Sequence, residues 1–115
     1  MKQWLRLLGC CSVLWFSGLV AAHGGDTVWI DVRTAQEYDE GHLKEAINIP
    51  HDQITAAISE VEADTATEIV LYCRSGRRAE LAKQALNELG YSNVVNARDQ
   101  DGAEALYHER SEHAH

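Results

Sequence analysis

Four short apolar runs divide the chain, and the stretches between them carry helical spacing. Val28-Trp29-Ile30-Asp31-Val32 is continuous enough to be a strand covered on both faces. Asp31 interrupts it near its carboxyl end, where ligands and loops gather in open α/β sheets. Ala46-Ile47-Asn48-Ile49-Pro50 reads as a second strand closed by the single proline, Ile69-Val70-Leu71-Tyr72 as a third, and Asn93-Val94-Val95-Asn96 as a fourth.

The intervening segments are patterned for helices. Thr34-Ala35-Gln36-Glu37 has capping-box spacing, in which hydroxyl and carboxylate each satisfy the other's free backbone N–H, so a short helix ending before Gly41 is predicted. Asp52 is placed to cap a helix through Val61, with Ile54, Ala57, Ile58 and Val61 on its buried side. Ala79, Ala82, Ala85, Leu86 and Leu89 share one stripe of a helix that stops at Gly90. Glu60 to Glu68 is acidic and reads as a solvated connection. Gly102 to Arg110 is a candidate last helix, and Ser111 to His115 is expected to fray. Strands alternating with helices imply a three-layer α/β domain, with a central, mostly parallel sheet and helices on both faces.

Charge and length narrow the function classes. Ten basic and eighteen acidic residues give the 115-residue chain a formal net charge of −8. Lys2 and Arg6, the apolar stretch Leu7 to Val20 and the small residues Val20-Ala21-Ala22 together read as a secretory signal peptide over residues 1–22. The apolar stretch falls short of the roughly 20 residues that cross a bilayer as a helix, so no membrane anchor is expected after cleavage. The mature chain is then expected to begin near His23, in the periplasm, as one domain over 23–115 with its core in 28–97 and a tail from 111 to 115. Cleavage removes two basic residues and no acidic one, which argues against nucleic acid and anionic membranes as partners.

Cys10 and Cys11 fall within the signal segment, which leaves Cys73 alone in the expected mature chain. A solitary cysteine in an oxidising compartment makes no internal disulfide and has no second thiol for dithiol exchange. Its setting, Cys73-Arg74-Ser75-Gly76-Arg77-Arg78, follows the third strand and opens a helix. Unpaired N–H groups at a helix start and nearby guanidinium charge favour thiolate over thiol, and polar neighbours argue against a merely buried cysteine. The same donors suit an incoming oxyanion.

With these residues laid out, the chain resembles the rhodanese family, in particular the small exported single-domain rhodaneses of bacteria of the phage-shock type. The resemblance is carried by four blocks: Trp29-Ile30-Asp31-Val32-Arg33 with Glu37-Tyr38; Gly41-His42-Leu43-Lys44-Glu45-Ala46-Ile47-Asn48-Ile49-Pro50; Leu71-Tyr72 with the Cys73 hexapeptide; and Gly90-Tyr91-Ser92-Asn93-Val94. It implies a persulfide-forming Cys73 that moves sulfur from thiosulfate or a similar small donor to cyanide or a thiol, a protein thiol included, with no cofactor and no metal. Two positions depart from the family: Glu45 stands where glycine is usual, and Ala97-Arg98-Asp99-Gln100-Asp101-Gly102 replaces a glycine pair and an aromatic residue near the active-site loop.

Individual roles follow from this chemistry. The N–H groups of residues 74–78, with Ser75 and Gly76 in the turn, are expected to surround the sulfur. Arg74 and Arg78 are expected to hold the departing oxyanion. Arg77 is divided between that role and a solvated surface charge. Asp31 and Arg33 are expected to pair and brace the first strand, and His42 to order its loop. Two alternatives stand beside the enzyme: a persulfide carrier for a partner protein, and a thiolate-based phosphatase or arsenate reductase. Spacing weighs against the last, because Cys73 to Arg78 is C-x4-R and those relatives use a longer C-x5-R loop. His108, His113 and His115 cluster near the end, where a polar fraying tail is the simpler account than a metal site.

Overall fold

The computed structural model describes residues 26–113. The segment expected to be a signal peptide, with Cys10 and Cys11, and the tail residues Ala114 and His115 lie outside the described residues. Four strands, β1 (Val28–Asp31), β2 (Ile47–Asn48), β3 (Ile69–Tyr72) and β4 (Val94–Asn96), form one all-parallel sheet in the order β2-β1-β3-β4. The helices are α1 (Ala35–Asp39), α2 (Ile54–Val61), α3 (Arg77–Glu88) and α4 (Gln100–His113), with a 3-10 turn at His51–Gln53 ahead of α2.

Strand alternation sends side chains to opposite faces, and each face has its own core. On one, Ile30, Val32, Ile69 and Leu71 meet Ile54 and Ile58 of α2 and Ala79, Ala82 and Leu86 of α3. On the other, Trp29, Val70 and Tyr72 meet Leu43, Ala46 and Ala103, with Leu106 and Tyr107 of α4 packed against them. Trp29 and Tyr107 meet edge to face at 5.4 Å between ring centroids. Every side chain of β3 is buried, as expected of a central strand covered on both sides.

The pattern fails where elements end. Asp52 caps nothing: it lies in the 3-10 turn that Pro50 opens, with the Gln53 N–H donated to the Pro50 carbonyl, and α2 then starts without a side-chain cap. Val61 is the last residue of α2, and Leu89 is the C-cap of α3; both are exposed, so the apolar stripes lose their cover at the helix ends. The core extends beyond Ala97, since Ala103 is fully buried. The helix also continues through Ser111 to His113 rather than fraying. Arg110 is one reason, donating from Nε and Nη2 to the two oxygens of Glu68 at 3.0 and 2.7 Å.

Candidate active site

Strand order alone marks one place on the sheet. From β1 the chain moves to β2 on one side, and from β3 it moves to β4 on the other, so β1 and β3 are neighbours whose successors diverge. Their carboxyl ends, Asp31 and Tyr72, are paired in register. Loops leaving such a point open a crevice between them, the usual location of ligands in parallel sheets. Arg33 leaves β1 and Cys73 leaves β3 at that crevice. They line an open cleft of about 210 Å³ together with Arg74, Asp99, Gln100 and Asp101.

Cys73 is 2% exposed and belongs to the aliphatic core, so the expectation that its polar neighbours keep it out of the interior is corrected. Arg74 and Ser75 are exposed while Cys73 itself forms part of the cleft lining. The loop closes tightly around it. The Cys73 N–H is donated to the Arg98 carbonyl (3.1 Å), and the Gly76 N–H is aimed at Sγ (3.0 Å). Gly76 is the N-cap of α3 at φ +94°, a conformation that suits glycine, and a Cβ there would come within 2.9 Å of Arg98 Cγ. Asn96 holds the turn from outside through its amide, donated to the Gly76 carbonyl (3.0 Å). Burial pushes the Cys73 thiol up, but the backbone N–H groups of Ala79, Ser75, Gly76 and Arg78 outweigh it and hold the thiol below its ordinary value.

The arginines are arranged differently from the backbone. Glu37 reaches across from α1 and takes both of the arginines expected to hold oxyanions. Arg78 donates from Nη1 and Nη2 to its two oxygens at 2.8 and 3.2 Å, and Arg74 donates from Nε at 2.6 Å. The same carboxylate closes the capping box with Thr34, accepting the Thr34 N–H at 2.9 Å. Arg78, then the Thr34 backbone, hold the Glu37 carboxyl well below the usual carboxylate range. The sequence reading placed Glu37 in the cap and missed its contact with the loop. Eighteen acidic residues are available on charge alone, so only the fold selects Glu37. Arg77 and Ser75 are exposed at the start of α3.

Asp31 and Arg33 form the expected internal pair. Asp31 is fully buried, and Arg33 donates Nε to both its oxygens (2.9 and 3.0 Å) and Nη2 to Oδ2 (2.6 Å), with a further bond from Nη2 to the Gly41 carbonyl (2.7 Å). The Asp31 bond raises the Arg33 pKa further. The Arg33 guanidinium sits over the Tyr72 ring, 5.6 Å from its centroid; the Tyr72 hydroxyl accepts the Leu43 N–H (2.9 Å), and burial pushes its pKa up to about 12. His42 stacks on Tyr38 and donates from Nδ1 to the Tyr38 carbonyl (2.7 Å), a contact that orders its loop.

The segment that departs from the family pattern forms the opposite wall. Arg98 adopts φ +78°, the only non-glycine residue with positive φ among those described. Asp99 accepts the Gly102 N–H through Oδ1 (2.8 Å), capping α4, and a side chain on Gly102 would collide with the Ala97 carbonyl oxygen. Asp99, Gln100 and Asp101 then face Cys73 across the cleft. Among the described residues no cluster of histidine, cysteine, aspartate and glutamate is grouped to hold a metal ion, and no helix is long and apolar enough to cross a membrane.

Residues 16–99 match the rhodanese-like domain. The chain is 39% identical over 69 residues to the thiosulfate sulfurtransferase PspE of Escherichia coli (strain K12), a match covering 60% of this chain and 66% of that protein. It is 37% identical over 75 residues to the tRNA uridine(34) hydroxylase of Erwinia tasmaniensis, covering 62% of this chain and 21% of that one. The chain thus spans less than two thirds of the length of these curated relatives. Among solved structures, a rhodanese with anions from E. coli superposes with a TM-score of 0.64 at 35% identity, covering 67% of this chain and 91% of that one. The human single-domain sulfurtransferase TSTD1 superposes with a TM-score of 0.52 at 25% identity, over 76% and 83% of the two chains.

Proposed function

The chain belongs to the rhodanese-like domain family, and from that membership we propose that it is a sulfurtransferase whose Cys73 carries sulfane sulfur as a persulfide. The observation that supports this most is the sulfur itself: a buried thiol on the floor of an open cleft, with backbone N–H groups aimed at it and its pKa held low. A thiolate there is a competent nucleophile that needs no second cysteine.

In the first half-reaction the Cys73 thiolate attacks the outer sulfur of thiosulfate. The donor S–S bond breaks, sulfite leaves with the electron pair, and a persulfide remains on Cys73. In the second, cyanide or a thiolate attacks the outer sulfur of the persulfide, and Cys73 departs as thiolate. The N–H groups of Ser75, Gly76 and Arg78 stabilise the negative sulfur at both stages. Arg74 is the arginine we assign to the sulfonate-like leaving group, because it lines the cleft, is exposed, and gives Glu37 only its Nε among close bonds. Arg78 spends both terminal nitrogens on Glu37, so we assign it a positioning role.

The names of PspE and TSTD1 support sulfur transfer, and the E. coli neighbour described with anions supports an anionic donor. The hydroxylase relatives carry this domain within longer proteins of another named reaction, so thiosulfate, cyanide and thiols are proposals for this chain. We also propose export to the periplasm after cleavage near residue 22, with residues 23–115 acting as one domain.

The test is to incubate the protein with thiosulfate and weigh the Cys73 peptide. A gain of one sulfur atom, its removal by cyanide with release of thiocyanate, and loss of both in Cys73→Ser are expected. Absence of the adduct, or equal thiocyanate from Cys73→Ser, would overturn the reading.

A further inference from the structure

The cleft wall facing Cys73 is acidic, which is unexpected for a site that admits an anion. Of the six residues that line the cleft, two are cations and two are carboxylates. The cations are already engaged: Arg33 with buried Asp31, and Arg74 with Glu37 and, more distantly, Glu40 (3.8 Å). The carboxylates are less committed. Asp99 uses Oδ1 as a helix cap and keeps Oδ2 3.7 Å from the exposed Arg98 Nε, while Asp101 is exposed in the first turn of α4 with no ion pair among the described residues. Anion affinity in the cleft therefore comes from the backbone N–H groups at its floor and from Arg74 on one side, while the uncommitted negative charge lies on the opposite wall.

We propose that Asp101, with Asp99 behind it, selects the sulfur acceptor by charge, favouring an aminothiol whose ammonium group faces these carboxylates over an acidic thiol. This rests on the sulfurtransferase reading for its chemistry. The acceptor thiol loses its proton to solvent, its thiolate attacks the outer sulfur of the Cys73 persulfide, the new S–S bond forms as the old one breaks, and the electron pair returns to Cys73. No net oxidation or reduction occurs. With its thiol directed to the floor, a short aminothiol leaves its ammonium group at the mouth, beside Asp101. A dianion such as thiosulfate gains from the floor and Arg74 and is opposed by the carboxylates of the facing wall.

Two methanethiosulfonate reagents, one carrying a trimethylammonium and the other a sulfonate group, test the charge directly, because both modify the thiol whether or not the protein transfers sulfur. Rates are read on the Cys73 peptide of the intact protein and divided by those of a free thiol. The cationic reagent is expected to be favoured, and Asp101→Asn to reduce that preference about fivefold at low salt, the scale of one unit charge acting on reagents of opposite sign across a wet cleft. In turnover with thiosulfate, Asp101→Asn is expected to lower KM for thiosulfate and to reduce the kcat/KM ratio of 2-aminoethanethiol over 3-mercaptopropionate. Asp99→Asn keeps a capping oxygen and is expected to act in the same direction. A reagent preference for the anion, or a ratio that Asp101→Asn leaves unchanged, would overturn the proposal. Failure of the persulfide to form would instead overturn the sulfurtransferase reading, with the reagent ratio still decided.

Discussion

The two walls of the cleft are built on opposite principles. The loop Cys73–Arg78 surrounds the sulfur with backbone N–H groups, and two of its arginines, Arg74 and Arg78, are tethered to Glu37. The segment Ala97–Gly102 accepts the Cys73 N–H at the Arg98 carbonyl, caps α4 through the Asp99 side chain, and presents side chains to the cleft. Backbone donors cannot be exchanged by mutation, whereas side chains can. On the proposed function, chemistry is carried by the wall that sequence change alters least, and selection by the wall that it alters most easily.

The comparison is broken most severely at Gly76, where the two walls touch. Gly76→Ala forces a side chain onto φ +94° and against Arg98 Cγ. A loss of about 1–3 kcal/mol of stability is expected, together with slower Cys73 modification, checked by urea denaturation and alkylation rate. Unchanged values in both would mean that the loop does not need this turn.

Glu37→Gln tests whether the arginines belong to the loop's scaffold. A loss of about 1–2 kcal/mol is expected, mostly from the part-buried Arg78 contact, since the exposed Arg74 pair is screened by solvent. The sign with pH follows from the lowered carboxyl. Its stabilisation is complete above the unfolded value near ~4.3 and fades as pH falls through the folded value. Wild type is therefore expected to lose stability below about pH 4.3 more steeply than Glu37→Gln does, as read from denaturation midpoints across an acid series. Parallel curves would contradict the pairing.

The smallest effect is expected on the other wall. Arg98→Gly relieves a left-handed backbone cost of about 1–2 kcal/mol and adds about 0.5–1 kcal/mol of glycine entropy. A slight net stabilisation should appear in the melting temperature. A clear destabilisation would show that the Arg98 side chain packing over Gly76 matters more than its backbone strain.

How much of this was legible in the sequence also divides between the walls. All four strands, the Thr34–Glu37 capping box and the stop at Gly90 (φ +101°) could be read because each depends on neighbours in the chain. The Asp31–Arg33 pair was legible for the same reason. Glu37's hold on Arg74 and Arg78 was not, since it joins positions 37 to 41 residues apart. Cys73's burial was obscured because its neighbours are polar while its surroundings, Ile30, Val32 and Ala79 among them, come from other elements. The segment 97–102 could be recognised as a departure, but that it caps α4 and turns two carboxylates toward the thiol depends on a positive φ at Arg98, where propensity favours glycine.

Backbone N–H groups hold the Cys73 thiol below its ordinary value despite its burial, and the account rests on this. Alkylation of the Cys73 peptide by a neutral reagent, followed against pH in the folded protein, tests it most directly. The midpoint is expected below the ~8.5 of an ordinary cysteine and to persist in Arg74→Met. A midpoint at or above that value would show that burial prevails over the backbone donors and would contradict the account.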